Sequence, residues 1–192
     1  LAQTLAALQL RREALEALLT AGKRLPKSEV LEQRTLDMFD RLRDERGRDE
    51  YLKARIAAAP RRSDLVLMRV KSQYLLGKRE SADKLFEGLI KPMSKKDKAI
   101  QVLEMARFLR RSNLTTEAAT WFERTLELDS NRLDVRRELA ETRLALGQRH
   151  KVKDAFEGSI SAEAPVEEVL DLVQFMLQQK LQLVVGADCV QV

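Results

Sequence analysis

The chain has 192 residues, 44% of them hydrophobic and 34% charged, with a formal net charge of +5 and a pI ≈ 9.4. That balance, with 7 Gly and 4 Pro, suits a mostly helical protein with few long loops, and no apolar run approaches the ~18 residues of a membrane-spanning helix. The one His and the one Cys, His150 and Cys189, exclude a His-based metal cluster, a Cys–His nucleophile pair at useful spacing and an internal disulfide framework.

In chain order, residues 1–26 are expected to form a partial unit. Leu1 to Leu10 is apolar and is read as helix, and Ala14, Leu18 and Ala21 continue it to Pro26, as in the second helix of a pair whose first helix is absent. Residues 28–60 form the next pair. Ser28 is placed to cap its first helix, Leu31, Met38, Phe39 and Leu42 line that helix, Gly47 is expected at the turn, and Leu52, Ile56 and Ala59 line the second helix before Pro60. Further pairs are expected over 62–93, 95–130 and 131–163, with Gly77, Asn113 and Gly147 at their turns, where a left-handed backbone is cheap for Gly and tolerated by Asn. Pro165 opens an apolar terminal helix over 165–183, followed by a tail over 184–192. That helix is apolar on more than one face, so the array is expected to continue, to meet a second copy, or to be covered by the tail. The chain starts on Leu1 and is expected to be a segment of a larger protein.

A short phrase recurs along these pairs. It reads Ala82-Asp83-Lys84-Leu85-Phe86-Glu87, then Ala118-Ala119-Thr120-Trp121-Phe122-Glu123, then Val152-Lys153-Asp154-Ala155-Phe156-Glu157. The phenylalanines stand 36 and then 34 residues apart, and Gly77, Asn113 and Gly147 precede them by nine residues each. A period near ~34 residues built from two helices and a turn marks a stacked array and not a closed enzyme fold. From Gly47 to Gly77 is only 30 residues, so the 28–60 pair departs in length.

The phrase resembles the tetratricopeptide repeat. Val70, Ala106 and Ala140 take the small position of the first helix; Ala82, Ala118 and Val152 take the packing alanine of the second, and Phe86, Phe122 and Phe156 its aromatic. The chain departs from the pattern at the early Trp, which is Val66, Val102 and Arg136 here, and at the closing Pro, which is Ser130 in the 95–130 pair. The resemblance implies an all-α, right-handed superhelical solenoid of stacked antiparallel helix pairs.

The resemblance also implies a groove lined by the first helix of each pair. By register its residues are Leu67, Lys71 and Tyr74, then Leu103, Arg107 and Arg110, then Arg137, Glu141 and Leu144. Lys71, Arg107, Arg110 and Arg137 would form a positive stripe with apolar spots beside it. The function expected is therefore a non-catalytic scaffold that binds an extended or helical, acidic peptide, with no cofactor and no metal. The Lys and Asn positions by which some repeats of this type clamp a chaperone's terminal carboxylate are not matched: Leu67 and Leu103 stand at two of the Lys positions.

Two other readings remain. The net charge, with basic clusters over 41–62 and 91–98, allows RNA or DNA binding, although only 5% of residues are aromatic and most of those fall in the core pattern. The terminal helix could mediate a homodimer through Leu172, Phe175 and Met176. Cytoplasm is the favoured address and the periplasm the alternative.

Overall fold

The computed structural model describes residues 2–152 and, in the terminal segment, Glu167, Leu170, Gln174, Phe175, Leu177 and Gln178, all six helical. Phe156, Pro165, Leu172, Met176, Cys189 and the tail over 184–192 lie outside the described residues. The fold is all-α, a solenoid of helical hairpins, with no strand among the described residues.

The chain divides into two compact units, Leu1–Pro92 and Met93–Val192. The first holds α1 (Ala2–Arg24), α2 (Glu29–Leu42), α3 (Glu45–Ala58), α4 (Ser63–Leu75) and α5 (Arg79–Ile90), each packed on the next. The second holds α6 (Lys95–Arg111), α7 (Thr115–Leu128), α8 (Leu133–Ala145) and α9 (Arg149–Val152), joined in the same serial way.

Side chains near the helix starts decide where three of the helices begin. The Ser28 hydroxyl accepts from the Leu31 amide, Ser94 from Asp97 and the Asp44 carboxylate from Gly47, each relieving one orphan N–H of a first turn. Before α4 and α8 the cap residues are Arg62 and Arg132, whose side chains do not cap. Each instead forks onto the aspartate two residues on: Arg62 Nε and Nη2 donate to Asp64 at 2.8 and 2.6 Å, and Arg132 does the same to Asp134 at 2.8 and 2.6 Å. The carboxylate is thereby pinned over the positive end of the helix.

Four hairpins close in one way. Arg43, Gly77, Asn113 and Gly147 have φ of 53, 72, 60 and 71°. In each case that residue's N–H donates three residues back and the next N–H donates five residues back, as in Asp44 to the Phe39 carbonyl and Lys78 to that of Gln73. These left-handed residues are spaced 34, 36 and 34 apart. The turn expected at Gly47 is therefore at Arg43, and the apparent shortness of the 28–60 pair disappears. Gly47 lies in the first turn of α3, where a Cβ would come within 2.4 Å of Asp44 Oδ2 and 2.8 Å of the Phe39 ring.

Small residues let the helices approach, and the aromatics Phe86 and Phe122 fill the layers beside them. In unit 1, Val70, Ala82 and Phe86 are fully buried, beside a cluster of Leu36, Leu52 and Leu65 that joins α2, α3 and α4. In unit 2, Ala106, Ala118, Phe122 and Ala140 are fully buried. Burying each such phenylalanine contributes about 1.5–3 kcal/mol relative to exposure.

Candidate functional site

The first helices of the hairpins carry the residues expected to line a groove, and the structure separates them into two groups. Tyr74 is 2% exposed and donates its hydroxyl to Asp83 on α5; Leu103 is 4% exposed. Both belong to the core, because Tyr74 turns toward its own hairpin partner and Leu103 is buried alongside Val102 and Ala106. Leu67, Lys71, Arg107, Arg110, Glu141 and Leu144 are half-buried, and Arg137 is exposed.

On unit 2 the arginines form a lattice with carboxylates of α8. Arg107 donates to Glu138 Oε1 from Nε at 2.9 Å and Nη2 at 2.6 Å, and lies 3.5 Å from Asp134 and 3.7 Å from Glu104. Arg110 reaches Glu141 at 3.1 Å, and Arg137 reaches the other oxygen of Glu141 at 3.2 Å. The hydrogen bonds to Glu138 raise the affinity of Arg107 for its proton, and the fork from Arg132 holds Asp134 below the usual carboxylate range. With Arg132 included, four guanidiniums face four carboxylates: Glu104, Asp134, Glu138 and Glu141. The expected positive stripe is thus a mixed-charge row, since the same helix spacing that aligns the arginines also aligns Glu138 with Glu141.

Unit 1 has buried carboxylates at the α2–α3 and α3–α4 contacts. Glu32 on α2 accepts from Arg55 at 2.7 Å and from Arg62 at 2.9 Å, with its side chain 6% exposed. Asp49 on α3, 3% exposed, accepts from Arg69 and Gln73 on α4 at 2.9 and 3.3 Å, and Lys78 lies 3.4 Å away. Burial alone would raise the Asp49 pKa; the bonds from Arg69, Lys78 and Gln73 outweigh it and leave the carboxyl below its ordinary 3.8. Between α2 and α4 an open hollow of about 500 Å³ is lined by Val30, Gln33, Leu36, Asp64 and Met68.

Net charge is divided unevenly. Unit 1 has 20 Lys and Arg against 14 Asp and Glu, a net +6, whereas unit 2 has 15 against 16, a net −1. Arg41, Arg43 and Arg46, around the α2–α3 turn, are exposed and make no ion pair among the described residues. No aromatic side chain of unit 1 is exposed among the described residues.

In the terminal segment Phe175 is 6% exposed, with the Arg137 guanidinium 5.5 Å from its ring centre. It is therefore buried within the chain. Leu170 and Leu177 are exposed; Leu172 and Met176, the other two residues expected at a dimer interface, lie outside the described residues.

Among the described residues no group of three or more His, Cys, Asp or Glu is arranged to hold a metal ion, and no helix is long and apolar enough to cross a membrane.

No family model and no curated protein matches the sequence. Among solved structures the chain is similar to the crystal structure of MamA, a helical, tetratricopeptide-like solenoid. The TM-score is 0.51 at 10% identity, covering 85% of this chain and 91% of that one. At that identity the likeness carries the fold and no function.

Proposed function

We propose that this chain is a non-catalytic protein-interaction scaffold of the tetratricopeptide type, holding an extended or helical segment of a partner against the first helix of its hairpins. The observation that supports this most directly is the α6–α8 row. Its half-exposed guanidiniums and carboxylates are held in place by one another, so ordering them on binding costs little entropy. Such a row reads the charge pattern of a partner and gives register and specificity more than raw affinity. Each carboxylate on it sits against a guanidinium, which argues against a general acid or base there. A segment bearing both signs fits unit 2; net attraction for an acidic one comes from unit 1.

A second reading, polyanion binding, is favoured by the +6 charge of unit 1 and by the unpaired Arg41, Arg43 and Arg46. The absence of an exposed aromatic from the described part of that unit removes the usual stacking platform for single strands.

The test is capture on the immobilised chain after nuclease treatment, in wild type and in the swap Arg110→Glu/Glu141→Arg, which reverses the charges of one pair in the middle of the row while keeping that pair. A discrete protein set bound by wild type and lost in the swap is expected. Capture that disappears with nuclease, or that ignores the swap, overturns the reading.

A further inference from the structure

Unit 1 contains a second hollow, which shares Glu32 with the one between α2 and α4. It has a volume of about 280 Å³ and lies between the end of α1, the loop over 25–28, the start of α2 and the end of α3. Its walls are apolar: Leu19, Leu25, Leu31, Tyr51, Ala54 and Ala58. Leu25, at the mouth, is 61% exposed, a large apolar side chain left in water. The volume is below the ~300 Å³ at which drug-sized sites begin, so it suits one large apolar side chain.

The rim is positively charged. Lys23 lines the hollow, and Lys27 stands between Pro26 and Ser28, which also line it. Both lysines are exposed, and neither has an ion-pair partner among the described residues. The one carboxylate at the wall, Glu32, is already matched by Arg55 at 2.7 Å and Arg62 at 2.9 Å. Glu29, exposed on the other side of Ser28, offsets one of the two lysines, and the ammonium groups leave a net positive charge beside an apolar slot, on the unit that carries the whole positive excess of the chain. Lys23 also sits in the last turn of α1, where a cation favours the helix end, but that role leaves its solvent side open.

We propose that this hollow docks an acidic peptide that inserts one large apolar side chain between α1 and α3, its flanking carboxylates meeting Lys23 and Lys27. The proposal rests on the scaffold reading and adds to its first-helix face a separate surface on the second helices α1 and α3. Charge complementarity selects the occupant. A second copy of unit 1 would bring +6 against +6, and a nucleic acid would find no exposed aromatic to stack on.

The test uses the full chain and two acetylated peptides, each with a central Phe-Leu pair flanked on both sides by two glutamates or by two lysines. Binding is followed by amide NMR shifts at moderate salt. The glutamate peptide is expected to shift amides around Leu25, Leu31, Ala54 and Ala58, and the lysine peptide to bind at least tenfold more weakly. Lys23→Glu/Lys27→Glu should weaken the glutamate peptide about tenfold, and Lys23→Arg/Lys27→Arg should retain it. Ala54→Trp, a change at an exposed helix position, should abolish binding by filling the slot while leaving the melting temperature unchanged.

Equal binding of both peptides, undiminished binding to Ala54→Trp, or a concentration-dependent doubling of mass that Ala54→Trp removes would each overturn the proposal. Shifts confined to the α2–α4 or α6–α8 faces would overturn this site and leave the scaffold reading standing. No shift with either peptide, together with oligonucleotide binding, would overturn both.

Discussion

Arg43 is the place where the repeat geometry and the local sequence disagree, and replacing it tests how the hairpins close. Its φ of 53° and ψ of 34° lie in the left-handed region, which costs an L-residue roughly 1–2 kcal/mol. Glycine removes that strain but loses about 0.5–1 kcal/mol more backbone entropy on folding. Arg43→Gly should therefore stabilise the protein by about 0.5–1 kcal/mol, since the Arg43 side chain is exposed and little packing is lost with it. For a chain of this size that is a rise in Tm of roughly 2–4 °C per kcal/mol. Gly77→Ala should show the opposite sign at similar size, because a Cβ there meets nothing within 4 Å and only the conformational cost remains. Urea unfolding followed by circular dichroism reads both, with Arg43→Lys as the control for the loss of the guanidinium alone. A destabilising Arg43→Gly, alongside a costly Gly77→Ala, would refute the equivalence of the two closures.

Other glycines separate strain from packing: Gly88→Ala, in α5 with open space around it, should stabilise by about 0.5–1 kcal/mol, whereas Gly47→Ala should destabilise through the clash with Asp44 and Phe39, both read by thermal melts. Asp49→Ala strands Arg69 and Lys78 beside a buried site and should cost about 3–5 kcal/mol, measured by urea midpoint. The folded-state pKa of Asp49 lies below 3.8, so its contribution is full above that pH and is lost as pH falls through the lower folded value. Acid unfolding below pH 3.8 should accordingly be shallower in Asp49→Asn than in wild type. Phe122→Ala, emptying a fully buried position, should cost about 3–5 kcal/mol.

The layers of the fold were legible because they depend on residue size at fixed spacing. Val70, Ala106, Ala140, Ala82, Ala118, Phe86 and Phe122 occupy the small and aromatic positions of the repeat, and all are fully buried. The α2–α3 turn was not legible, because Gly47 offered a glycine at a plausible place. The left-handed position is filled instead by Arg43, a residue with no preference for it, and the spacing of 34 to Gly77 is the signal that could have identified it. Helix register alone could place Arg107, Arg110 and Arg137 on one face. It could not show that Arg107 pairs with Glu138 and Arg110 with Glu141, which neutralises that face, because pairing across helices depends on how two helices are stacked. Tyr74 and Leu103 fell out of the groove for a related reason: a turn of the helix by one residue exchanges a lining side chain for a core one. The α1–α3 hollow left no sequence pattern, since its walls come from three helices and a loop.

The most direct measurement is an amide-by-amide NMR map of the chain with a captured polypeptide partner bound. The scaffold account predicts shifts concentrated on α2 and α4, on α6 and α8, or around the α1–α3 hollow, and persisting after nuclease treatment. Shifts confined to the outward faces of α5 and α7, or shifts seen only with nucleic acid and clustered at Arg41, Arg43 and Arg46, would contradict it.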